Sequence, residues 1–547
     1  MRCLFPDRPV STLGWGKSVV KTWRKQGVMG WLVWGFTLGF TLVMLGSRSL
    51  DRVWAMPLPP SRPAAAIQPY LDRVAANITE FRLDNGLKFI VLERHQAPVV
   101  SLMTYADVGA VDEPEGKTGV AHFLEHLAFK GTSRIGTRDF EQEQQVLDDL
   151  DRAFAQLQGA RQDPNSAPEH LDRLEQRFQD LRRQAATWVE QNELSQIIER
   201  AGGVGLNATT STDATRYFYS LPANKLELWM SLESERFLDP VFREFYEEKD
   251  VILEERRLRL DNNPVNQLLD AVQSTAFLVH PYGRPVIGEA DDIANLSRRD
   301  VQVFFQTHYH PDKLTFAVVG DVEADRVQQL AQRYFGRFPA APSSSPPSPL
   351  PPEPLQAESR LVTLQRPTQP WSIVAYTMPA IDDPDYITCQ ILEQILSSGR
   401  TSRLYRALVE EQQIALAAQG TSGYPNDKYP SLMLFYTLPA PGHSLEEVEA
   451  ALTQELGRLQ TELVQEAELQ RVTTQVRAGL LRSLDSNRGL ASTLVEYEVK
   501  TGSWRNFFTV LDRVEQITAA DLQRVALKVF QPHHSTIGRL VTGPAEE

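Results

Sequence analysis

The segment His122-Phe123-Leu124-Glu125-His126 constrains the fold of this chain more than any other feature. Its two histidines are four residues apart, so they lie one above the other on the same face if the segment is helical. In that geometry both imidazoles can reach one metal ion, and Glu125 lies close enough to touch a water at that ion. The spacing therefore predicts a helix that presents two ligands of a zinc site, with a third ligand supplied from elsewhere.

The residues around this motif favour a metal site over a chance arrangement. Gly119-Val120-Ala121 precedes it and Leu127-Ala128-Phe129 follows it, so the helix is apolar on both sides. Two histidines buried there without a metal would need other polar partners. The carboxylate-rich segment from 246 to 255 offers candidates for the third ligand.

The composition is that of a globular protein with room for more than one domain. The chain has 547 residues, of which 42% are hydrophobic and 23% are charged, and these values are ordinary. The net charge of −14 argues against nucleic acid as a partner, because a general nucleic-acid binder shows a basic face. The only cysteines are Cys3 and Cys389, so no disulfide framework exists, and Cys389 is expected to be a small core residue.

The N-terminus has the pattern of an export segment. Four basic residues between positions 17 and 25 precede an uncharged run at 27–46, which is long enough to span a bilayer. Val53-Trp54-Ala55 has residues suited to cleavage before Met56. Residues 1–55 are therefore predicted to be a signal peptide or an N-terminal membrane anchor. In either case the rest of the chain is expected to be exported to the periplasm or an equivalent compartment.

Proline-rich stretches divide the rest of the chain. Residues 56–75 are predicted to be a tether and residues 338–357 a Pro/Ser linker, because such sequences cannot bury a core. Residues 76–337 are then a zinc-binding domain and residues 358–547 a second, non-catalytic domain. Both show strand and helix patterns in a similar order. The predicted fold is α+β, with two homologous half-domains that each contain a mostly antiparallel sheet packed with helices.

A helical hairpin is predicted within the first half, at residues 141–200. Apolar residues at 147, 150, 154 and 157 keep a spacing of three or four, and the pattern resumes at 171, 174, 178 and 181 after a proline-containing break. The hairpin is interpreted as an insertion. Its role is either that of a strut or that of a lid or docking arm for a partner.

Together these motifs resemble the pitrilysin/insulinase family of zinc metallopeptidases, the inverzincins, in their two-domain, processing-peptidase-like bacterial form. The resemblance covers nearly all of 76–547. Besides H-x-x-E-H, it rests on Gly202-Gly203 with 207–211, on 251–255, on 308–313 with 318–321, and on 399–405.

The resemblance implies the remaining members of a metal centre. His122, His126 and Glu255 would hold one Zn²⁺ ion per chain. Glu248, two helical turns before Glu255, would be the acid that orients a histidine ring. Glu255 is preferred to Glu254 because the two side chains point about 100° apart on a helix.

The resemblance also implies a mechanism and a substrate-binding strand. Glu125 would be the general base for a zinc-activated water and would later protonate the leaving amine. Asn207, Ala208 and Thr209 would lie on an edge strand, to which a peptide adds through main-chain hydrogen bonds. From the residues alone, a turn plus an ordinary strand is an equal alternative for that segment.

One departure from the family pattern concerns the second half. Active members use an Arg and a Tyr, seven residues apart, to stabilise the tetrahedral oxyanion. Counting from Ser402-Arg403-Leu404-Tyr405, these places fall on Val409 and Leu416, neither of which can donate a side-chain hydrogen bond. The mismatch predicts a heterodimer in which a homologous subunit without H-x-x-E-H supplies the Arg and the Tyr.

The function implied is an exported zinc metalloendopeptidase that acts on peptides or unfolded polypeptide segments. Two alternatives remain open. One is a processing peptidase that cuts targeting sequences at defined sites. The other is a non-catalytic scaffold subunit of a membrane complex, although such subunits usually have a degraded motif.

Overall fold

The computed structural model describes residues 68–340 and 350–543, all of them within one compact unit, Ile67–Glu547. The predicted leader 1–55, most of the predicted tether and residues 341–349 of the predicted linker lie outside the described residues. The end of the predicted tether differs from the prediction, because Gln68–Ala76 forms helix α1. Within the two described ranges no helix is long and apolar enough to cross a bilayer, and the predicted span at 27–46 falls outside them.

Six strands of the first half form one sheet, in the order β1-β2-β6-β3-β5-β4. The β2–β6 pair is parallel and the other pairs are antiparallel. The strands are β1 (Ile78–Arg82), β2 (Lys88–Glu93), β3 (Val99–Ala106), β4 (Val204–Thr210), β5 (Thr215–Pro222) and β6 (Leu314–Gly320).

Five strands of the second half form a sheet in the order β7-β11-β8-β10-β9. They are β7 (Arg360–Arg366), β8 (Trp371–Met378), β9 (Ala415–Tyr424), β10 (Ser431–Pro439) and β11 (Ser535–Thr542). This order matches β2-β6-β3-β5-β4 strand for strand, with the parallel pair again at the first position. The prediction of two homologous α+β halves is confirmed.

The helices of the first half include the two helices of the predicted hairpin. They are α2 (Val120–Leu127), α3 (Phe140–Gln162), α4 (Pro168–Ala186), α5 (Glu193–Arg200), α6 (Leu226–Leu238), α7 (Phe245–Arg256), α8 (Pro264–Ala276), α9 (Ala290–Asn295), α10 (Arg298–His308) and α11 (Ala324–Phe335). Those of the second half are α12 (Tyr386–Ser397), α13 (Leu445–Thr461), α14 (Glu466–Ser483), α15 (Asn487–Thr501), α16 (Asn506–Gln516) and α17 (Ala519–Val529).

Helices α3 and α4 form the predicted hairpin, which packs on helix α7. The ring of Tyr246 on α7 lies 4.8 Å from that of Phe154 and 4.9 Å from that of Phe178. Arg182 of α4 forms ion pairs at 3.0 Å with Glu247 and Asp250 on α7. The hairpin therefore packs against the helix that carries the predicted site residues Glu248 and Glu255. This is the contact expected if the hairpin acts as a strut.

Each half covers the sheet of the other half with one helix. Helix α8 of the first half packs on β11, β7 and β8, and helix α15 of the second half packs on β6 and β3. Leu490 and Ala491 of α15 belong to the same buried cluster as Met103 and Phe218. Because each core is completed by the other half, the two sheets are held in one unit.

Helix α12 occupies the place in the second half that α2 occupies in the first, between the strands β8 and β9. Along it, Gln390-Ile391-Leu392-Glu393-Gln394 repeats the spacing of the 122–126 motif, with glutamine in place of both histidines. Zinc sites are built from His, Cys and carboxylate ligands. The second half thus retains the acid of the motif without the paired imidazoles.

Glu393 gives the stability of the chain a specific pH dependence. Its side chain is 6% exposed and accepts a hydrogen bond from Gln394 at 2.9 Å, and no cation within the described ranges pairs with it. Burial raises the pKa of Glu393 to about 7. Since the folded chain then holds this proton more tightly than the unfolded chain, the contribution of Glu393 to stability falls as the pH rises from about 4.5 to about 7.

We therefore expect Glu393→Gln to raise the free energy of unfolding at pH 8, by on the order of 2 kcal/mol, and to have a smaller effect at pH 5. Denaturant titrations of both proteins at the two pH values measure this difference. The exposed Glu410→Gln serves as the matched control. An equal effect of Glu393→Gln at both pH values would contradict the prediction.

Candidate metal centre and active site

The two histidines of the motif lie on α2 with ring centroids 4.9 Å apart. The start of this helix is fixed by Glu113, whose carboxylate accepts hydrogen bonds from the backbone N–H groups of Gly119 and Ala121, both at 2.9 Å. A carboxylate at a helix N-terminus satisfies otherwise free N–H groups and suits the helix dipole. Glu113 thus holds the end of α2 from which His122 projects.

Glu255 on α7 brings a carboxylate to both histidines. Its Oε2 lies 3.9 Å from Nε2 of His122 and 3.6 Å from Nε2 of His126. One ligand atom from each of the three residues lies within 4.8 Å of the others. Ligand atoms about 2.0–2.2 Å from a tetrahedral zinc ion are roughly 3.4 Å apart, so the three residues fit a zinc ion. Glu254 is exposed and pairs with Arg257 at 2.8 Å instead.

Glu248 lies on the same face of α7 as Glu255, and its carboxylate contacts Nδ1 of His126. Its Oε2 lies 3.0 Å from Nδ1 of His126, and its Oε1 lies 2.6 Å from Nζ of Lys130. Burial acts to raise the pKa of Glu248, but hydrogen bonds from His126 and Lys130 lower it below its usual range. An ionised Glu248 favours the His126 tautomer with its proton on Nδ1, which leaves Nε2 free to bind a metal.

The charges around the two rings suit a cation. Burial acts to lower the pKa of His126, but the carboxylates of Glu248 and Glu255 raise it to about 9. Burial lowers the pKa of His122 to about 4, so that ring is neutral, which is the form that binds metals. In the metal-free site one ring is therefore neutral and the other is charged, and a metal bound at His126 would displace the proton on Nε2. The carboxylates of Glu248 and Glu255 also pair with Lys130 and Arg259.

Glu125 is partly buried beside this cluster, and its carboxylate Oε2 accepts a hydrogen bond of 2.5 Å from Oγ1 of Thr210. Burial raises the pKa of Glu125, which moves the carboxylate toward the range useful for a general base. This role of Thr210 was not predicted from the sequence. The one available signal was its position next to the predicted substrate strand, at the end of β4.

We expect Thr210→Val to lower kcat about tenfold, because the isosteric side chain fills the same space but cannot hold the Glu125 carboxylate in place. KM and zinc content should change little. Thr210→Ser keeps the hydroxyl and should restore most of the rate. Steady-state kinetics on an unstructured peptide test this, and an equal loss in both variants would contradict it.

The segment Asn207, Ala208 and Thr209 lies on β4, which is the outer strand of the first sheet. These residues pair with Phe218, Tyr217 and Arg216 of β5 on one side. Within the described parts of the chain no strand pairs with the other side of β4. Its main-chain groups are therefore placed for pairing with an added strand.

The structure places the two predicted oxyanion positions in the second half. Val409 lies in a turn of π-helix, Tyr405–Glu411, and packs on the buried cluster of that half. Leu416 lies at the start of β9 and is exposed. Neither residue brings a donor to the site.

Two family models match this chain. The one described as Insulinase (Peptidase family M16) matches residues 88–155 and 183–290, and the one described as Peptidase M16 inactive domain matches residues 295–476. The chain belongs to the pitrilysin/insulinase (M16) family of peptidases. The gap at 156–182 lies within the predicted 141–200 insertion.

Similar proteins of the M16 family agree with this assignment. The chain is 26% identical to the zinc protease PqqE of Helicobacter pylori, over 83% of this chain and 90% of that one. It is 22% identical to a probable mitochondrial-processing peptidase subunit beta of Arabidopsis thaliana, over 85% and 78% of the two chains. The periplasmic protease PqqL of Escherichia coli has the same fold, with a TM-score of 0.63 at 20% identity, over 85% of this chain and 47% of that one.

Proposed function

We propose that this M16 chain is an exported zinc metalloendopeptidase that hydrolyses peptides or unfolded polypeptide segments. The observation that carries the proposal is the cluster of His122, His126 and Glu255, whose ligand atoms lie within 4.8 Å of one another next to Glu125. The set of two histidines and one glutamate is one that catalytic zinc sites use. The predicted leader at 1–55 supports export, as does the similarity to a periplasmic protease.

His122, His126 and Glu255 would hold one zinc ion, and Glu248 would fix the ring of His126. A bound zinc ion supplies Lewis acidity, which polarises the scissile carbonyl and lowers the pKa of a water molecule. Glu125 accepts a proton from the attacking water and delivers it to the nitrogen of the leaving amine. Thr210 holds the Glu125 carboxylate during both transfers.

The substrate would bind as a strand added to the free side of β4. Main-chain hydrogen bonds supply this kind of affinity, and they are the same for most sequences. An unfolded segment can present its whole backbone in this way, whereas most backbone groups of a folded domain are already paired. This favours peptides and unfolded segments as substrates.

The proposal includes a second subunit of the same family. Val409 and Leu416 stand where the oxyanion donors are expected, and neither can donate a hydrogen bond. The chain spans about half the length of the Escherichia coli protease, and the Arabidopsis relative is named as a subunit. Both facts support a heterodimer in which a homologous chain supplies the Arg and the Tyr.

The two alternatives lead to different products. A processing peptidase, as the name of the Arabidopsis relative suggests for that protein, would cut targeting sequences at defined positions, whereas a scavenging peptidase would leave overlapping fragments. A scaffold subunit of a membrane complex would cut nothing. The intact set of His122, Glu125, His126 and Glu255 favours a peptidase.

The proposed metal centre is tested by zinc titration of the purified full chain. We expect one zinc ion per chain, and we expect Glu255→Gln to weaken zinc binding by more than about 100-fold, because a ligand is lost. Glu254→Gln, the neighbouring exposed carboxylate, is the matched control and should bind zinc normally. Peptide cleavage should disappear with a chelator and return with added zinc. Equal zinc affinity in the two variants would overturn the assignment of Glu255.

A further inference from the structure

A cavity of about 160 Å³ lies beside the substrate strand, on the face of the first sheet that helix α15 covers. Its walls come from β3, β4 and β5 and from Arg488 and Ala491 of α15. At the β4 end it is lined by Val204 and Gly205, and Val204 is 66% exposed. The cavity therefore adjoins the free strand on which the proposed substrate would bind.

Arg488 is the charged residue of this cavity. Its guanidinium stacks on the ring of Phe218 at 4.0 Å. Within residues 68–340 and 350–543 it forms no ion pair and no hydrogen bond. A guanidinium always carries a positive charge and five donors, so Arg488 offers an unused charge and unused hydrogen bonds at the cavity.

The other polar groups of the cavity can also donate a hydrogen bond to a bound acceptor such as a carboxylate. The hydroxyls of Ser101 and Ser220 lie 2.8 Å apart and share one hydrogen bond. One O–H of the pair is then free to donate. A cavity of about 150 Å³ accommodates a molecule the size of benzene, so the space holds a carboxylate and the carbons that bear it.

The position of the cavity relates it to the cleaved bond. Thr210, which contacts the proposed base, lies at one end of β4, and Val204 lies at the other end. Six residues of a strand span roughly 20 Å. Since the side chains of an added strand alternate between the two faces of the sheet, every second residue of a bound peptide faces the α15 side.

We propose that this cavity is a subsite in which Arg488 binds a carboxylate of the peptide substrate, about five to seven residues from the cleaved bond. The carboxylate belongs either to an acidic side chain or to the end of the peptide. The inference rests on the proposed function, because it requires the peptide to add to β4. Such a subsite would give the peptidase a sequence preference, which main-chain pairing with β4 alone does not provide.

The test measures peptide binding to the full chain carrying Glu125→Gln, so that the peptides stay intact. The probes are neutral, N-acetylated and C-amidated fluorescent peptides with one Glu, or one Gln, placed at successive positions. A second series has no Glu but a free C-terminal carboxylate. Fluorescence anisotropy gives Kd, and a digest by the unaltered chain locates the cleaved bond.

We expect Glu at the matching position to bind about tenfold more tightly than Gln, with an advantage that shrinks as salt is added. Arg488→Gln should remove the advantage, Arg488→Lys should retain part of it, and Arg173→Gln, an exposed arginine of the hairpin, should leave it unchanged. A tighter binding of the free-carboxylate series would assign the subsite to the peptide terminus instead.

The subsite is overturned if Glu and Gln peptides bind equally at every position, or if the Glu advantage survives in Arg488→Gln. Neutral peptides separate this failure from that of the proposed function. If they are bound and cut without any preference, only the subsite is wrong. If no peptide is bound or cut, the peptidase proposal is wrong as well.

Discussion

Replacing Glu125 by glutamine should abolish peptide cleavage while leaving zinc binding intact. Glutamine has nearly the same shape and can still accept the hydrogen bond from Thr210, but it cannot accept a proton from water. Loss of a positioned general base lowers rates by about 10²–10⁴. Because Glu125 is not among the three clustered ligand residues, the zinc content should stay at one ion per chain.

The measurement combines kinetics on a quenched unstructured peptide with metal analysis of the same preparation. Glu115→Gln, an exposed glutamate just before the motif, is the matched control and should be fully active. Loss of zinc in Glu125→Gln would show that Glu125 is itself a ligand. A rate within tenfold of the unaltered chain would show that another group accepts the proton.

Local spacing explains why part of the site could be predicted from the sequence. His122, Glu125 and His126 lie on one helix, where the period of 3.6 residues fixes their relative positions. Glu255 and Glu248 lie on a different helix; the sequence offered the whole segment 246–255 as candidates, and the family resemblance singled out these two residues. The structure places the Glu255 carboxylate within 3.9 Å of both rings and the Glu248 carboxylate 3.0 Å from His126.

Contacts between distant segments explain what could not be predicted. The hydrogen bond from Thr210 to Glu125 depends on how β4 packs against α2, and no local pattern encodes it. Amphipathic spacing shows that α8 and α15 each bury one face, but not that each covers the sheet of the other half. Arg488 acquires its place beside β4 only through that exchange.

One feature of the second half was not predicted, although the sequence shows it. The segment from Gln390 to Gln394 repeats the motif spacing within a single helix, so it was readable from the sequence once the halves were known to match. The retention of Glu393 without the histidines agrees with the match of this half to an inactive domain. Without the two histidines, a second half of this kind is not expected to hold a metal ion. Its expected contribution to catalysis is to supply oxyanion donors.

The purified chain alone should cleave an unstructured peptide slowly, and a homologous subunit that carries the Arg and the Tyr should raise kcat by about 10²–10³. The reason lies in Val409 and Leu416, which leave the developing oxyanion without side-chain donors. Mixing the two subunits and following both the rate and the mass of the complex measures the effect. Alanine in place of the partner's Arg should cancel the gain without preventing assembly, whereas Glu125→Gln in this chain should silence the complex. Full activity of the isolated chain, unchanged by the second subunit, would show that the oxyanion is stabilised by groups within this chain.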